Sequence, residues 1–342
     1  MKQNNILSFI GKKEEDYLIP YNFVLEWKND KPIMCMFLFD NQFDKKNYIK
    51  IGSFHWKDFS QDIDIYYKED KETTIFKSRK KNYTTLNISL LKSTLQKAIR
   101  RQNIELSINI AFQMINLDFN EFIRRFLIII LEDVCFNMDY IYLIWFLCAS
   151  SSKNLILKKK HVKWILGYVK FIANNDYQFN YEKKESLNID FIKKDNIFKL
   201  HYDLILSLLL RKSFGGMNGD LKMINYYLDY YYKKFKNIKI GEHFPELIIN
   251  IEPISYKFDI INVIDFPLES VDFHCFNNLV KLIFKNYNNY SEEDIKKAIW
   301  FCSSSINYRN KIKYDEKYDE IYNKIKDYKK KLSLDYLYSN RK

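Results

Sequence analysis

Asp118-Phe119-Asn120-Glu121-Phe122-Ile123-Arg124-Arg125-Phe126-Leu127-Ile128-Ile129-Ile130-Leu131-Glu132-Asp133-Val134 reads as one amphipathic helix. Asp118 can cap its first turn, with Glu121 three residues on, a spacing that satisfies orphan amides at a helix start. Phe122, Ile123, Phe126, Leu127 and Ile130 then recur at three- and four-residue steps and form one apolar face. The surroundings extend the reading. All five prolines (Pro20, Pro32, Pro245, Pro253 and Pro267) lie outside residues 89–236, as a helical array requires. A helix is predicted from Lys160 to about Ala173, another from Leu200 into a glycine cluster, and a third leaving it with Leu221, Ile224, Leu228 and Tyr231. The polar stretch Asn174–Asp195 reads as a loop. Residues 241–275 hold three of the prolines and read as irregular. Helices return over Cys275–Asn286, Glu292–Cys302 and Tyr314–Leu332.

The N-terminal part has a different period. Tyr21–Trp27, Ile33–Phe39, Tyr48–Trp56 and Ile63–Tyr67 alternate or run apolar, with β-branched and aromatic residues between short polar breaks. That pattern predicts a small antiparallel sheet. The expected fold class is therefore mainly α with a small β-rich N-terminal domain (α+β). The β-rich domain covers residues 1–85, and a helical array covers 86–342.

Composition bounds the function. Hydrophobic residues make up 47% and aromatics 17%, enough for a large core. Tyr and Phe number 27 each, and Asn, Ile and Lys are abundant. Such a mix follows from AT-rich coding sequence, as in a virus, plasmid or protist. The net charge of +12 attracts polyanions at long range, nucleic acid first and an anionic membrane surface second. The longest apolar run, Tyr140–Ala149, is far short of the roughly 20 residues that span a bilayer. No membrane association is expected. Cys35, Cys135, Cys148, Cys275 and Cys302 form no Cys-x-x-Cys pair. Neither a disulfide framework nor a zinc ribbon is supported. Buried thiols in a reducing compartment, cytoplasmic or nuclear, are expected instead.

Four constellations carry candidate chemistry. The first joins Lys97, Arg100 and Arg101 to Arg124-Arg125 and Glu132-Asp133-Val134. Arg125 and Glu132, seven apart, share a helix face. These residues resemble the helical collar region of the RarA/MgsA branch of clamp-loader-related AAA+ ATPases. Lys97 and Arg100 are similar to its Lys-Ser-x-Arg-Gly-type turn, Arg124-Arg125 to its arginine stretch, and Glu132-Asp133-Val134 to its Glu-Asp-Ile element. The likeness spans about 40 of 342 residues. Ile128 and Cys135 depart from it, and no Gly-x-x-x-x-Gly-Lys-Ser/Thr occurs anywhere. The resemblance thus implies a helical oligomerisation or replication-associated module, not the ATPase activity. The plainer alternative is a salt-bridge network between helices, joining Arg124 and Arg125 to Glu121, Glu132 and Asp133.

The second constellation is Arg211-Lys212-Ser213-Phe214-Gly215-Gly216-Met217-Asn218-Gly219-Asp220, with three of the chain's seven glycines. Its amides, with the following helix N-terminus, suit an anion pocket closed by Arg211 and Lys212. A helix–turn–helix corner capped by Asp220 fits equally. The third is Asp272 and His274, one residue apart in the irregular segment. They suit a metal or a general base with its orienting group, or a helix start with Asp272 as cap. His243, His161, His201 and His55 show no ligand spacing. The fourth is Ser303-Ser304-Ser305 followed by Asn307 and Arg309, either a phosphate contact or a helix C-terminus entering a loop. In Tyr226–Lys236, lysines interleave with tyrosines in a way that suits stacked bases and phosphates.

The leading expectation is a non-enzymatic, nucleic-acid-associated protein of replication, repair or genome maintenance. It needs no cofactor and pairs with DNA or RNA, and with copies of itself or another protein. Its phosphate-binding candidates are Lys97, Arg100, Arg101, Arg124, Arg125, Arg211, Lys212, Gly215, Gly216, Gly219 and Arg309. On this reading, Arg100→Ala and Arg124→Ala weaken binding without unfolding the chain. A second reading is an enzyme on a phosphate-bearing substrate, with Asp272 and His274 as acid–base or divalent-metal residues. A third is a scaffold whose basicity is compositional.

Overall fold

The structure, a computed structural model, describes residues 21–38, 44–69, 74–77, 88–152, 154–176, 199–237, 247–255, 277–306 and 315–339. Four strands come first: β1 (Asn22–Lys28), β2 (Lys31–Leu38), β3 (Ile49–Trp56) and β4 (Gln61–Glu69). Helices follow: α1 (Ile88–Arg100), α2 (Ile104–Leu117), α3 (Phe119–Asp133), α4 (Tyr140–Ser151), α5 (Lys159–Asn174), α6 (Lys199–Ser213) and α7 (Asn218–Lys236). The last three are α8 (Asn277–Asn286), α9 (Glu292–Ser303) and α10 (Glu316–Ser339). The chain is thus mainly helical with a β-rich N-terminal part. The helix read from residues 118–134 starts as its sequence dictates: Asp118 accepts the Glu121 N–H at 3.1 Å.

The sheet order is β2-β1-β4-β3. β1–β2 and β3–β4 are antiparallel hairpins, with Leu25 opposite Cys35 and Phe54 opposite Ile63. The central pair, β1–β4, is parallel, with Phe23 opposite Ile65 and Leu25 opposite Tyr67. This corrects the wholly antiparallel sheet expected from the alternation. Turn residues specify only a strand's neighbour in the chain, and Asn29 at φ 54° does so between β1 and β2. The seam between the two hairpins has no local signal.

A helix supplies that seam. Tyr140, Ile141 and every residue from Leu143 to Ala149 are buried in α4. A helix apolar on all sides belongs in a core, and α4 packs against all four strands as well as α3 and α6. Its Trp145 Nε1–H lies 3.2 Å from the Phe23 carbonyl on β1 and 3.1 Å from the Tyr66 carbonyl on β4. One indole therefore bridges both strands of the parallel pair. Beside it, Phe23 and Phe37 stack at 4.0 Å.

Residues 247–255, the described part of the expected irregular segment, run against α5. The Ile254 N–H donates to the Lys163 carbonyl at 3.1 Å. Gly167 faces this strap so closely that a Cβ there would stand 2.1 Å from the Glu252 carbonyl oxygen. α8, α9 and α10 pack on one another, burying Ile283, Ile295, Ile299, Ile321 and Ile325. Cys35, Cys135 and Cys148 are buried free thiols, and Cys302 is a half-buried one.

Candidate nucleic-acid interface

The collar-like stretch forms a network between α1 and α3. Arg100 is 7% exposed. Its Nε donates to Asp133 Oδ1 at 2.6 Å and its Nη2 to Glu132 Oε1 at 3.2 Å. Gln96, one turn earlier, donates through Nε2 to Glu132 and to Asp133, each at 2.8 Å, while its Oε1 accepts from Arg125. Arg125 and Glu132 are thus coupled through Gln96, a residue the sequence did not single out. Burial and then the adjacent Asp133 raise the Glu132 pKa, against the pull of Arg100 and Arg125. Lys97 is buried on the same helix. The expected salt-bridge network is corrected in its cations: Arg100 holds Glu132 and Asp133, Arg124 donates to the Phe214 carbonyl, Arg125 to Gln96, and Glu121 pairs with Lys92.

The fourth constellation meets the first. Arg100 Nη1 donates to the Ser304 carbonyl at 3.0 Å, and Arg101 Nε to the Ser305 hydroxyl at 2.6 Å. Ser303, Ser304 and Ser305 are buried at the end of α9. Ser304 and Ser305 thus offer oxygens to the protein's own guanidinium groups, while Ser303 pairs with the Tyr322 hydroxyl at 3.0 Å.

At the glycine turn, Gly215 has φ +73°, a left-handed conformation that disfavours side chains. Arg124 donates to the Phe214 carbonyl at 2.9 Å. Arg211, 3% exposed, donates to the Gly215 carbonyl at 2.8 Å and to the Arg124 carbonyl at 3.2 Å. The two arginines therefore brace the turn from within the protein. Asp220 accepts the Met217 N–H at 3.2 Å, so it serves from inside the first turn of α7 while Met217 occupies the cap position. Burial lowers the Arg211 pKa. The buried Arg211 Nε and Tyr140 hydroxyl have no hydrogen-bond partner among the described residues. Gly216 and Gly219 are exposed, and Lys212 is half-buried.

Beyond the turn, α7 carries Lys222, Tyr226, Tyr230 and Lys234 four residues apart, so they form one row along the helix. Lys222 is exposed and the other three are half-buried. The Tyr226 and Tyr230 rings lie 6.2 Å apart at 18° to each other, and Lys234 Nζ is 5.7 Å from the Tyr230 ring centre. The neighbouring positions Tyr227 and Tyr231 point inward and are buried.

Charge is unevenly placed. Residues 21–38, 44–69, 88–152 and 315–339 each hold as many carboxylates as cations. In contrast, residues 154–176 contain Lys158, Lys159, Lys160, Lys163 and Lys170 and a single carboxylate, Asp176. On α6 and α7, Lys199, Arg211, Lys212, Lys222, Lys233, Lys234 and Lys236 outnumber Asp203, Asp220 and Asp229.

One buried cluster escaped the sequence reading. Where β4 ends against α5, Glu69 pairs with Lys158 and, at 2.6 Å, with Lys160. The Tyr67 hydroxyl donates to Glu69 at 3.1 Å and lies 3.0 Å from His161 Nε2. His161 Nδ1 accepts the Lys158 N–H at 3.3 Å, which leaves the ring proton on Nε2. Burial, then Lys160 and Lys158, hold the His161 pKa well below 6.5. In sequence, Lys158-Lys159-Lys160-His161 looks like a solvated basic run. Its acidic partner is remote in the chain.

Asp272, His274 and Arg309 lie outside the described residues, as does Cys275. Among the described residues, no three His, Cys, Asp or Glu side chains gather as a metal site requires. No described helix is long and apolar enough to cross a membrane. Compared with known proteins, the chain matches no family model, no curated protein and no solved structure.

Proposed function

We propose that this protein is a non-enzymatic nucleic-acid-binding factor of replication, repair or genome maintenance, with phosphate contacts on α5 and α6–α7. The observation that carries the reading is the segregation of charge. Codon bias toward lysine would spread cations over the whole chain, yet much of the chain is balanced. Among the described residues, the surplus is concentrated on α5, where Glu69 neutralises part of it, and on α6–α7. Lys159 and Lys170 are exposed on α5, and Lys222, Lys233 and Lys236 on α7. A local excess of this kind raises the concentration of polyanions at the surface.

The collar-like arginines take a supporting role. Arg100, Arg124 and Arg211 donate to acceptors within the protein, so they shape the body that presents the lysines. The likeness to the clamp-loader collar favours a genome-maintenance setting and self-association as the mode of assembly.

Fluorescence anisotropy with labelled DNA and RNA across a salt series tests the proposal. Each lysine that contacts phosphate adds about 0.7–0.9 to the log–log salt slope. Lys159→Gln with Lys170→Gln, and Lys222→Gln with Lys236→Gln, are expected to flatten it. An unchanged slope in both folded variants contradicts the reading.

A further inference from the structure

The turn between α6 and α7 sorts its donors from its acceptors. The Phe214 and Gly215 carbonyls are held from the protein side, by Arg124 at 2.9 Å and Arg211 at 2.8 Å. Gly216, Asn218 and Gly219 are exposed, and among the described residues their N–H groups meet no acceptor. Asn218 and Gly219 open the first turn of α7, a 19-residue helix, and such a start favours an anion. The space over the turn is open as well: a Cβ on Gly215 or on Gly219 would meet nothing within 4 Å.

Charge gathers behind these amides. Arg211 is 3% exposed, its Nη1 points at the turn through Gly215, and its Nε has no acceptor among the described residues. Burial, then the charges of Arg124 and Arg125, press its pKa down, while Asp220 works against them. The acceptors of all three arginines are neutral: the carbonyls of Phe214, Gly215 and Arg124, and Gln96 Oε1. Glu132 and Asp133 pair with Arg100 instead, and among the described residues no carboxylate forms an ion pair with Arg124, Arg125 or Arg211. Guanidinium charges withdrawn from water are costly without a counterion. Asp220, which accepts the Met217 N–H at 3.2 Å, is one carboxylate against three arginines.

We infer that the outer face of the Gly215–Asp220 turn binds a phosphate monoester. Its oxygens accept from the Gly216, Asn218 and Gly219 amides, and Arg124, Arg125 and Arg211 supply the counter-charge from behind. A monoester brings about two negative charges and three acceptor oxygens to one point. A backbone diester brings one charge per phosphate and suits a line of cations instead. The inference goes beyond the nucleic-acid reading, because a free mononucleotide carries this group as well as a 5′-phosphorylated strand end does.

The test is isothermal titration calorimetry on the full chain. One pair of probes is thymidine 5′-monophosphate and thymidine; the other is a short oligothymidylate with and without its 5′-phosphate. The phosphorylated member is expected to bind about tenfold more tightly or better, the worth of one or two charge-assisted hydrogen bonds. A preference in either pair supports the site, and the pair that shows it identifies the source of the phosphate. Two variants, checked by circular dichroism, separate binding from folding. Gly219→Glu places a carboxylate in the first turn of α7, where the helix tolerates it and a bound phosphate does not. It is expected to abolish the preference. Asp220→Asn keeps a capping oxygen, removes the opposing charge and is expected to tighten monoester binding several-fold. Equal affinity within both pairs overturns the inference and leaves the polyanion reading to its own lysine variants. An undiminished preference in folded Gly219→Glu overturns it too. The wild-type comparison decides even if a variant fails to fold.

Discussion

Arg100 Nε and Asp133 Oδ1 stand 2.6 Å apart between α1 and α3, both almost wholly buried. An ion pair in that setting is asymmetric. Removing one partner strands the other charge in the interior, at about 3–5 kcal/mol, whereas replacing both with apolar residues is far milder. Arg100→Ala is therefore expected to lower unfolding free energy by several kcal/mol. Arg100→Met combined with Asp133→Leu is expected to recover a good part of it. Urea titration measures both. A loss under about 1 kcal/mol in Arg100→Ala would mean that Arg100 is solvated.

His161 makes the fold acid-sensitive. Its folded pKa lies well below the ordinary 6.5. Below pH 6.5 the unfolded chain takes up a proton that the folded chain refuses. The stabilisation is whole above that pH and declines as pH falls toward the folded value, by about 1.4 kcal/mol per unit. Melting temperatures from pH 7.5 to 5 should fall in the wild type and fall less steeply in His161→Phe. Parallel curves would refute the assignment.

The glycines of the turn are not equivalent. Gly215 has φ +73°, where a side chain is strained, while a Cβ on Gly219 would meet nothing within 4 Å. Gly215→Ala should destabilise by about 1–2 kcal/mol, and Gly219→Ala should stabilise α7 by about 0.5–1 kcal/mol. Thermal melts of the two variants check opposite signs.

The Tyr140 hydroxyl is buried without a hydrogen-bond partner among the described residues. An unsatisfied hydroxyl of this kind is a liability of about 1 kcal/mol or more, so Tyr140→Phe is expected to be neutral or stabilising. A clear loss of stability would contradict the reading that this hydroxyl is unsatisfied.

Local features were legible in the sequence. Alternation located all four strands within a few residues, and Asp118 marked the start of α3 because a cap acts over a single turn. Asp220 was read as a cap when it lies inside the first turn, since a carboxylate at either place serves the same amides. Features that depend on distant partners left no trace. Gln96 has no motif that announces a bridge between Arg125 and Glu132. Nothing near Arg100 points to Ser304, 204 residues away. The row on α7 was visible as lysine interleaved with tyrosine. Only the helix showed that Tyr226 and Tyr230 face outward while Tyr227 and Tyr231 are buried.

The bond from Trp145 to both central strands has a kinetic meaning. During synthesis, β1 to β4 leave the ribosome long before Trp145 does, 79 residues beyond Tyr66. The two hairpins can form alone, since each pairs neighbours in the chain. Their parallel union has neither a turn to guide it nor a covered face to reward it until α4 arrives. The contact that ties the two ribbons together thus comes from a helix encoded much later in the chain, a long-range union of the kind that slows folding.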